Sequence, residues 1–367
     1  MLIYHTSDWH LGRMLYGRSL LSDQEHFLYN VLLPAIERER PAALIIAGDI
    51  YDRQVASIEA IQLFDAVLDR LVSLGCKVFA ISGNHDGAGR MAIMKSALRR
   101  SGVYIATTLN EALTPVTLSH DGESVQLTLL PYSDPSAVRD FLSDNSLRGE
   151  TACMGAILDQ IRPSLDQRLP QILVAHCFAA GASVSDSESV FVGGSGQVSP
   201  GVFEGFDYVA LGHLHGPQPA GENARYSGSP LKYSVSEADQ RKCFLRLEIS
   251  GGRIDCQEIG IPPLRDVRRI KGSFEELMSG SSEDYVELDL TDRDPVLLCA
   301  QRLRPRYPNL LCVTSSWTLK AAGERSGRLA GRDSQAVFTA FMKDVCGLDT
   351  EEADLELFRE IWKEVQP

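Results

Sequence analysis

The chain has no apolar run long enough to span a bilayer, and its opening "MLIYHTSDWH" lacks both the basic start and the apolar stretch of a secretion signal. No membrane association and a cytoplasmic location are therefore expected. The eight cysteines stand singly at 76, 153, 177, 243, 256, 299, 312 and 346 with no CxxC spacing, so neither a zinc ribbon nor a disulfide framework is suggested. No G-x-x-x-x-G-K-[ST] sequence occurs, and any ATP dependence has to come from a partner. Positive charge is also scarce. The 36 lysines and arginines against 49 acidic residues leave a net charge of −13, which argues against indiscriminate nucleic-acid binding by the whole surface and confines such binding to local patches. What is present is 367 residues, 44% of them hydrophobic, enough for two or three domains with a sizeable core.

From residue 1 to about 130 the pattern alternates between strands such as "LIYHTS", "AALIIAG" and "CKVFAIS" and helices such as "DQEHFLYNVLLPAIERE", "IEAIQLFDAVLDRLVSL" and "RMAIMKSALRR". Further strands follow in "VQLTLLP", "QILVAH", "DYVALGH", "KCFLRLEI" and "RIDCQEI". The expected fold is α/β: a sandwich of two sheets flanked by helices over 1–260. Adjacent prolines in "GIPPLRD" exclude helix and cannot donate to a sheet, marking a boundary. A small α/β cap is expected over 261–318, locally basic through Arg265, Arg268, Arg269, Lys271, Arg302, Arg304 and Arg306. A glycine-containing polar linker over 319–334 and two amphipathic helices within 335–367 complete the chain.

Polar residues gather where the apolar strands end: Asp8 and His10 in "SDWHLG", Asp49 in "AGDIYDR", Asn84 and His85 in "GNHD", His176 in "VAHC", and His213 and His215 in "LGHLHG". Taken singly, a histidine after a strand is usually a core or surface residue. Five strand ends each offering lone-pair donors to one rim are another matter, because open α/β sheets bring these ends together. Such a donor set suits two divalent ions. Asp49 is the natural bridging ligand, since a carboxylate has two oxygens; Asp8, His10 and His215 would complete one ion and Asn84, His176 and His213 the other. Mixed imidazole and oxygen ligands favour manganese, iron or zinc over magnesium or calcium, and manganese is expected. A rim carrying two cations is a phosphate site. His85, beside a ligand but not needed as one, is the candidate general acid or phosphate-orienting donor.

These motifs, with "SDSE" at 185–188, "FDYVALGHLHGPQ" and "YSGSPLKYSVSE", resemble the calcineurin-like metallophosphoesterases, and within them the bacterial nuclease subunits related to the Mre nucleases of break repair. The resemblance runs over essentially the whole chain. It implies DNA as substrate, with manganese-dependent double-strand exonuclease and single-strand or hairpin endonuclease activity at the nucleoid. It also implies an SMC-like ATPase partner of the SbcC type, bound by the C-terminal helices, and a homodimer through a bundle of helices 57–74 and 90–100. Asp52 departs from the eukaryotic and archaeal relatives, which tend to carry histidine there, and leaves His85 without a second imidazole. The alternative is a phosphatase or small-molecule phosphodiesterase of the same superfamily, although "GNHD" and "DRQ" differ from the protein-phosphatase pattern.

Overall fold

The computed structural model describes residues 1–188, 196–315, 334–344, 350 and 352–365. Two compact units are present, Met1–Arg269 with Glu283–Val286, and Ile270–Ser282 with Glu287–Pro367.

The first unit is built on two six-stranded sheets. One runs in the order Arg253–Gly260, Cys243–Ser250, Leu2–Thr6, Ala43–Ile46, Lys77–Ile81, Val103–Ala106, with the last four strands parallel. The other runs Gln218–Pro219, Ala224–Tyr226, Tyr208–Gly212, Gln171–His176, Glu123–Leu130, Val116–His120, with parallel strands inside and antiparallel strands at both edges. Side chains alternate across each strand and sort into separate layers. Ile3, Ile45, Phe79 and Ile81 of one sheet meet Leu127, Ile172, Val174 and Ala210 of the other. Their neighbours Tyr4, Leu44, Ile46 and Val78 point the opposite way, into a layer with Phe27, Phe64, Val67 and Leu71 of the helices. On the far face of the second sheet, Leu173, Val209 and Leu211 pack with Ile157 and Ile161 of helix Gly149–Ile161. Strands covered on both faces read as continuous apolar runs, as "ALII" and the "ILVA" of "QILVAH" do.

Two helices differ from expectation. The run over 23–39 is helical from Leu21 to Glu39 but widens to π geometry over Phe27–Leu32, directly before Pro34, whose nitrogen cannot donate to the preceding turn. The helix expected over 90–100 is two short ones, Ala88–Met91 and Lys95–Arg100, separated by Met94 in the left-handed conformation at φ 61°. Helix Ile58–Ser73 is capped by Ser57, which accepts from the Ala60 amide; it buries Leu63, Phe64, Val67, Leu68 and Leu71 and leaves Ile58 and Ile61 exposed.

The three-stranded sheet Val267–Gly272, Tyr285–Leu290, Leu310–Ser315 carries the chain into the second unit, where helices Phe274–Ser279 and Cys299–Leu303 bury Leu277 and Leu303. A capping box between Ser273 and Glu276 starts the first of these helices. The C-terminal helices are Ser334–Asp344 and Glu352–Val365, and Phe338 stacks on Phe358 at 4.5 Å between ring centroids. The linker expected over 319–334 lies, Ser334 apart, outside the described residues. No helix of the described residues is long and apolar enough to cross a membrane.

Candidate metal centre

Every residue chosen from the strand ends arrives at one place in the first unit. Asp8 and His10 follow Leu2–Thr6, Asp49 follows Ala43–Ile46, Asn84 and His85 follow Lys77–Ile81, His176 ends Gln171–His176, and His213 and His215 follow Tyr208–Gly212. Asp8, His10, Asp49 and His213 all have positive φ, at 53°, 44°, 49° and 107°. Left-handed backbone is costly for such residues and gathers where the surrounding structure enforces it for a purpose. The two sheets also approach closely here. A Cβ on Gly212 would stand 1.9 Å from the Ala47 carbonyl oxygen, and one on Gly83 would stand 2.2 Å from Asp49 Oδ1, so only glycine allows these loops to meet.

Two donor sets share one carboxylate. His10 Nε2 lies 3.1 Å from His215 Nε2 and 3.6 Å from Asp49 Oδ2, and ligand atoms of Asp8, His10 and His215 all lie within 4.8 Å of one another. Across the carboxylate, His176 Nε2 lies 3.4 Å from the same Asp49 Oδ2, while Asn84 Oδ1 stands 3.0 Å from both His176 Nε2 and His213 Nδ1. Two imidazole nitrogens 3.1 Å apart share either a proton or a cation. Asp8 and Asp49 are no more than 2% exposed as residues, and burying such charges is expensive unless cations neutralise them. The residues therefore fit a pair of divalent ions, the first among Asp8, His10, Asp49 and His215, the second among Asp49, Asn84, His176 and His213. Asn84, His85 and His213 are only partly buried, and they form the open side of the rim.

Burial and mutual charge pull the protonation of these groups apart. Burial holds His10 well below the usual imidazole range, and burial together with the charge of His176 brings His213 down to about 3. For His176 burial works the same way, but the Asp49 carboxylate outweighs it and raises the ring to about 9. Asp49 itself is lowered, because the surrounding imidazoles overcome its burial, whereas burial pushes Asp8 up to about 6.

A second layer of contacts fixes the donors. His176 Nδ1 donates to the Ala47 carbonyl at 2.9 Å, which turns Nε2 toward Asp49. Asp86 accepts from the amides of Ile50, Tyr51 and Gly83 and so ties the loop holding Asp49 to the loop holding Asn84. His85 donates its amide to Asp49 Oδ1 at 2.8 Å, and its Nδ1 donates to the Asp52 carbonyl at 3.0 Å, which leaves Nε2 as the working atom. The Asp52 carboxylate accepts from Arg13 at 2.8 Å and lies 3.7 Å from His10 Nδ1. Sequence reasoning missed Asp86, Ser187, Glu237 and Lys242; the last three contact His215 from other parts of the chain, with the "SDSE" and "YSVSE" texts as a signal for Ser187 and Glu237 and none for Lys242. Among the basic residues singled out, Arg265 pairs with Asp23, Arg268 with Asp284 and Lys271 with Asp289, while Arg302 lies over the Phe274 ring.

Residues 1–217 match the calcineurin-like phosphoesterase family, and residues 263–345 match the SbcD C-terminal family, described as the type 5 capsule protein repressor C-terminal domain. Among solved structures, a dimetal phosphatase from Danio rerio is 13% identical with a TM-score of 0.41, and an archaeal phosphodiesterase is 12% identical with a TM-score of 0.32. Each comparison covers 71% of this chain and 99% of the other.

Proposed function

The chain belongs to the calcineurin-like phosphoesterase family and continues into an SbcD-type C-terminal domain; on that premise we propose that it is a manganese-dependent DNA nuclease, cutting duplex ends exonucleolytically and single strands or hairpins endonucleolytically. The observation that carries this reading is the pair of donor sets meeting at Asp49 Oδ2, joined in one chain to that C-terminal domain.

Held at that rim, divalent ions supply Lewis-acid stabilisation of charge on phosphoryl oxygens and make a nucleophile from water near neutral pH. The chain's own residues do the remainder. Asp49, Asp8 and the four imidazoles fix where the scissile phosphate can sit, and the buried backs of the two sheets leave it only the side edged by Asn84, His85 and His213. His85 faces that side. Because its Nδ1 hydrogen is committed to the Asp52 carbonyl, the neutral ring offers only a lone pair at Nε2; donation to a leaving oxygen needs the imidazolium. His85 is thus the general acid or the orienting donor, and Asp52, through its backbone, sets the ring's direction.

The C-terminal helices are the proposed attachment for an SbcC-type SMC-like ATPase, received as helices in a groove. A homodimer is proposed through helix Ile58–Ser73 and the helices of 88–100, where Ile58, Ile61, Ile93 and Met94 remain exposed. The test of function compares manganese-dependent cleavage of blocked-end and hairpin duplexes with hydrolysis of a simple phosphate ester, with and without the ATPase and ATP. DNA cleavage stimulated by the partner supports the reading. Ester hydrolysis with DNA left intact assigns the chain to the phosphatases or small-molecule phosphodiesterases of the family.

A further inference from the structure

His215 is held at three points by side chains from other parts of the chain, two of them charged and one a hydroxyl. Glu188 accepts from its amide, Lys242 donates to its carbonyl at 2.8 Å, and its Nδ1 lies 2.7 Å from the Ser187 hydroxyl. That hydroxyl stands 2.5 Å from Glu237 Oε1, and Glu237 Oε2 accepts from Lys242 at 2.6 Å. Glu237 is fully buried and Lys242 nearly so, making this an internal ion pair placed behind a candidate ligand.

The hydrogen count along this chain of contacts has one solution. A carboxylate only accepts, so the single hydroxyl hydrogen of Ser187 goes to Glu237. The Ser187 oxygen can then only accept from His215, which places a hydrogen on Nδ1 and leaves the Nε2 lone pair facing His10 and the candidate ion. His10 is built differently: its Nδ1 is buried without a hydrogen-bond partner, and the nearest carboxylate, Asp52, is 3.7 Å away. One imidazole of the pair is locked and the other is not.

We propose that Ser187, Glu237 and Lys242 form a positioning relay that fixes the tautomer and ring direction of His215 and thereby sets the affinity of the first ion site. The proposal rests on the metal-centre reading above and gives a role to the "SDSE" and "YSGSPLKYSVSE" stretches. None of the three residues touches substrate; they act through His215. Outer contacts of this type are worth roughly 10- to 100-fold in metal affinity.

The experiment uses the full chain with histidine-selective 15N labelling. On metal-free wild-type protein at mildly alkaline pH, the His215 ring, identified by its loss in His215→Asn, is expected to show a protonated Nδ1 and an unprotonated Nε2. Manganese titration then counts two ions per chain. In Ser187→Ala the Nδ1 signature is lost and one ion weakens by roughly 10- to 100-fold while the other is unmoved; Ser187→Thr restores both. Glu237→Gln is the second variant: its amide donates to Ser187, whose hydrogen turns to His215, and the tautomer reverses. A Ser187→Ala protein that keeps the wild-type tautomer and both affinities overturns the relay alone. Wild-type protein that binds no ion overturns the metal-centre reading, and the relay's purpose with it.

Discussion

Asp49→Asn preserves the shape of the side chain and an acceptor for the His85 amide, but removes a charge placed 3.6 Å from His10 Nε2 and 3.4 Å from His176 Nε2. At about 3.5 Å and an effective dielectric of about 20, two unit charges interact by roughly 5 kcal/mol. A divalent ion carries more than the unit charge used here, so with half of that retained by the carbonyl dipole of asparagine the loss is at least about 2.4 kcal/mol, roughly fiftyfold or more in affinity, for each ion sharing the carboxylate. A second effect accompanies it. His176 is raised to about 9 chiefly because Asp49 outweighs its burial, so in the variant burial lowers the ring and favours its neutral form before any ion binds. Calorimetric titration with manganese in buffers of different protonation enthalpy, with metal content measured in parallel, reads both effects. Wild-type protein is expected to release the His176 proton as the ions bind. The variant is expected to bind both ions weakly, release no such proton and lose turnover. A variant that retains two tightly held ions and a near wild-type rate would show that Asp49 does not bridge.

Three further outcomes follow from the same geometry. His85→Gln, which can still donate a hydrogen bond but cannot transfer a proton, is expected to lower kcat by roughly 10²- to 10⁴-fold with both ions retained if His85 is the general acid; unchanged kcat would exclude proton transfer and leave His85 only the orienting role. The apparent manganese affinity should rise with pH, because His176, raised above its ordinary 6.5, keeps its proton until about 9 and that proton competes with the ion. The same raised value stabilises the metal-free fold fully below about 6.5 and loses that contribution as pH passes about 9, and burial-raised Asp8 adds competition below about 6; an affinity flat from neutral pH to pH 9 contradicts the assignment. Truncation after Arg332 should leave manganese-dependent cleavage by the isolated subunit intact and abolish co-purification with the ATPase, whereas joint loss of thermal stability and cleavage would place the terminal helices in the chain's own core.

Much of the centre was legible because its residues stand at the ends of strands that read clearly as strands. "ALII" and the interiors of "KVFAI" and "QILVAH" are apolar since both faces are covered, and a carboxylate or imidazole at the end of such a run has few purposes. Edge and outer elements were harder to read. Strand Val116–His120 exposes three of its five residues at the margin of its sheet, and helix Gly149–Ile161 begins on a glycine with no side-chain cap, so neither announces itself. The left-handed turn at Met94 has no residue signature, since a methionine adopts that conformation only when tertiary contacts impose it. The relay behind His215 was hidden for a different reason. Ser187 and Glu237 are fifty residues apart, and serine, glutamate and lysine are ordinary residues until folding buries them together.

The most direct test of the account is cleavage of a hairpin DNA measured against the number of manganese ions bound per chain, starting from metal-free protein. Cleavage is expected to follow the fraction of chains that hold two ions, and not the fraction that hold one, because both donor sets are needed around one phosphate. Full cleavage with one ion bound, or a doubly loaded chain that leaves the hairpin intact, would contradict it.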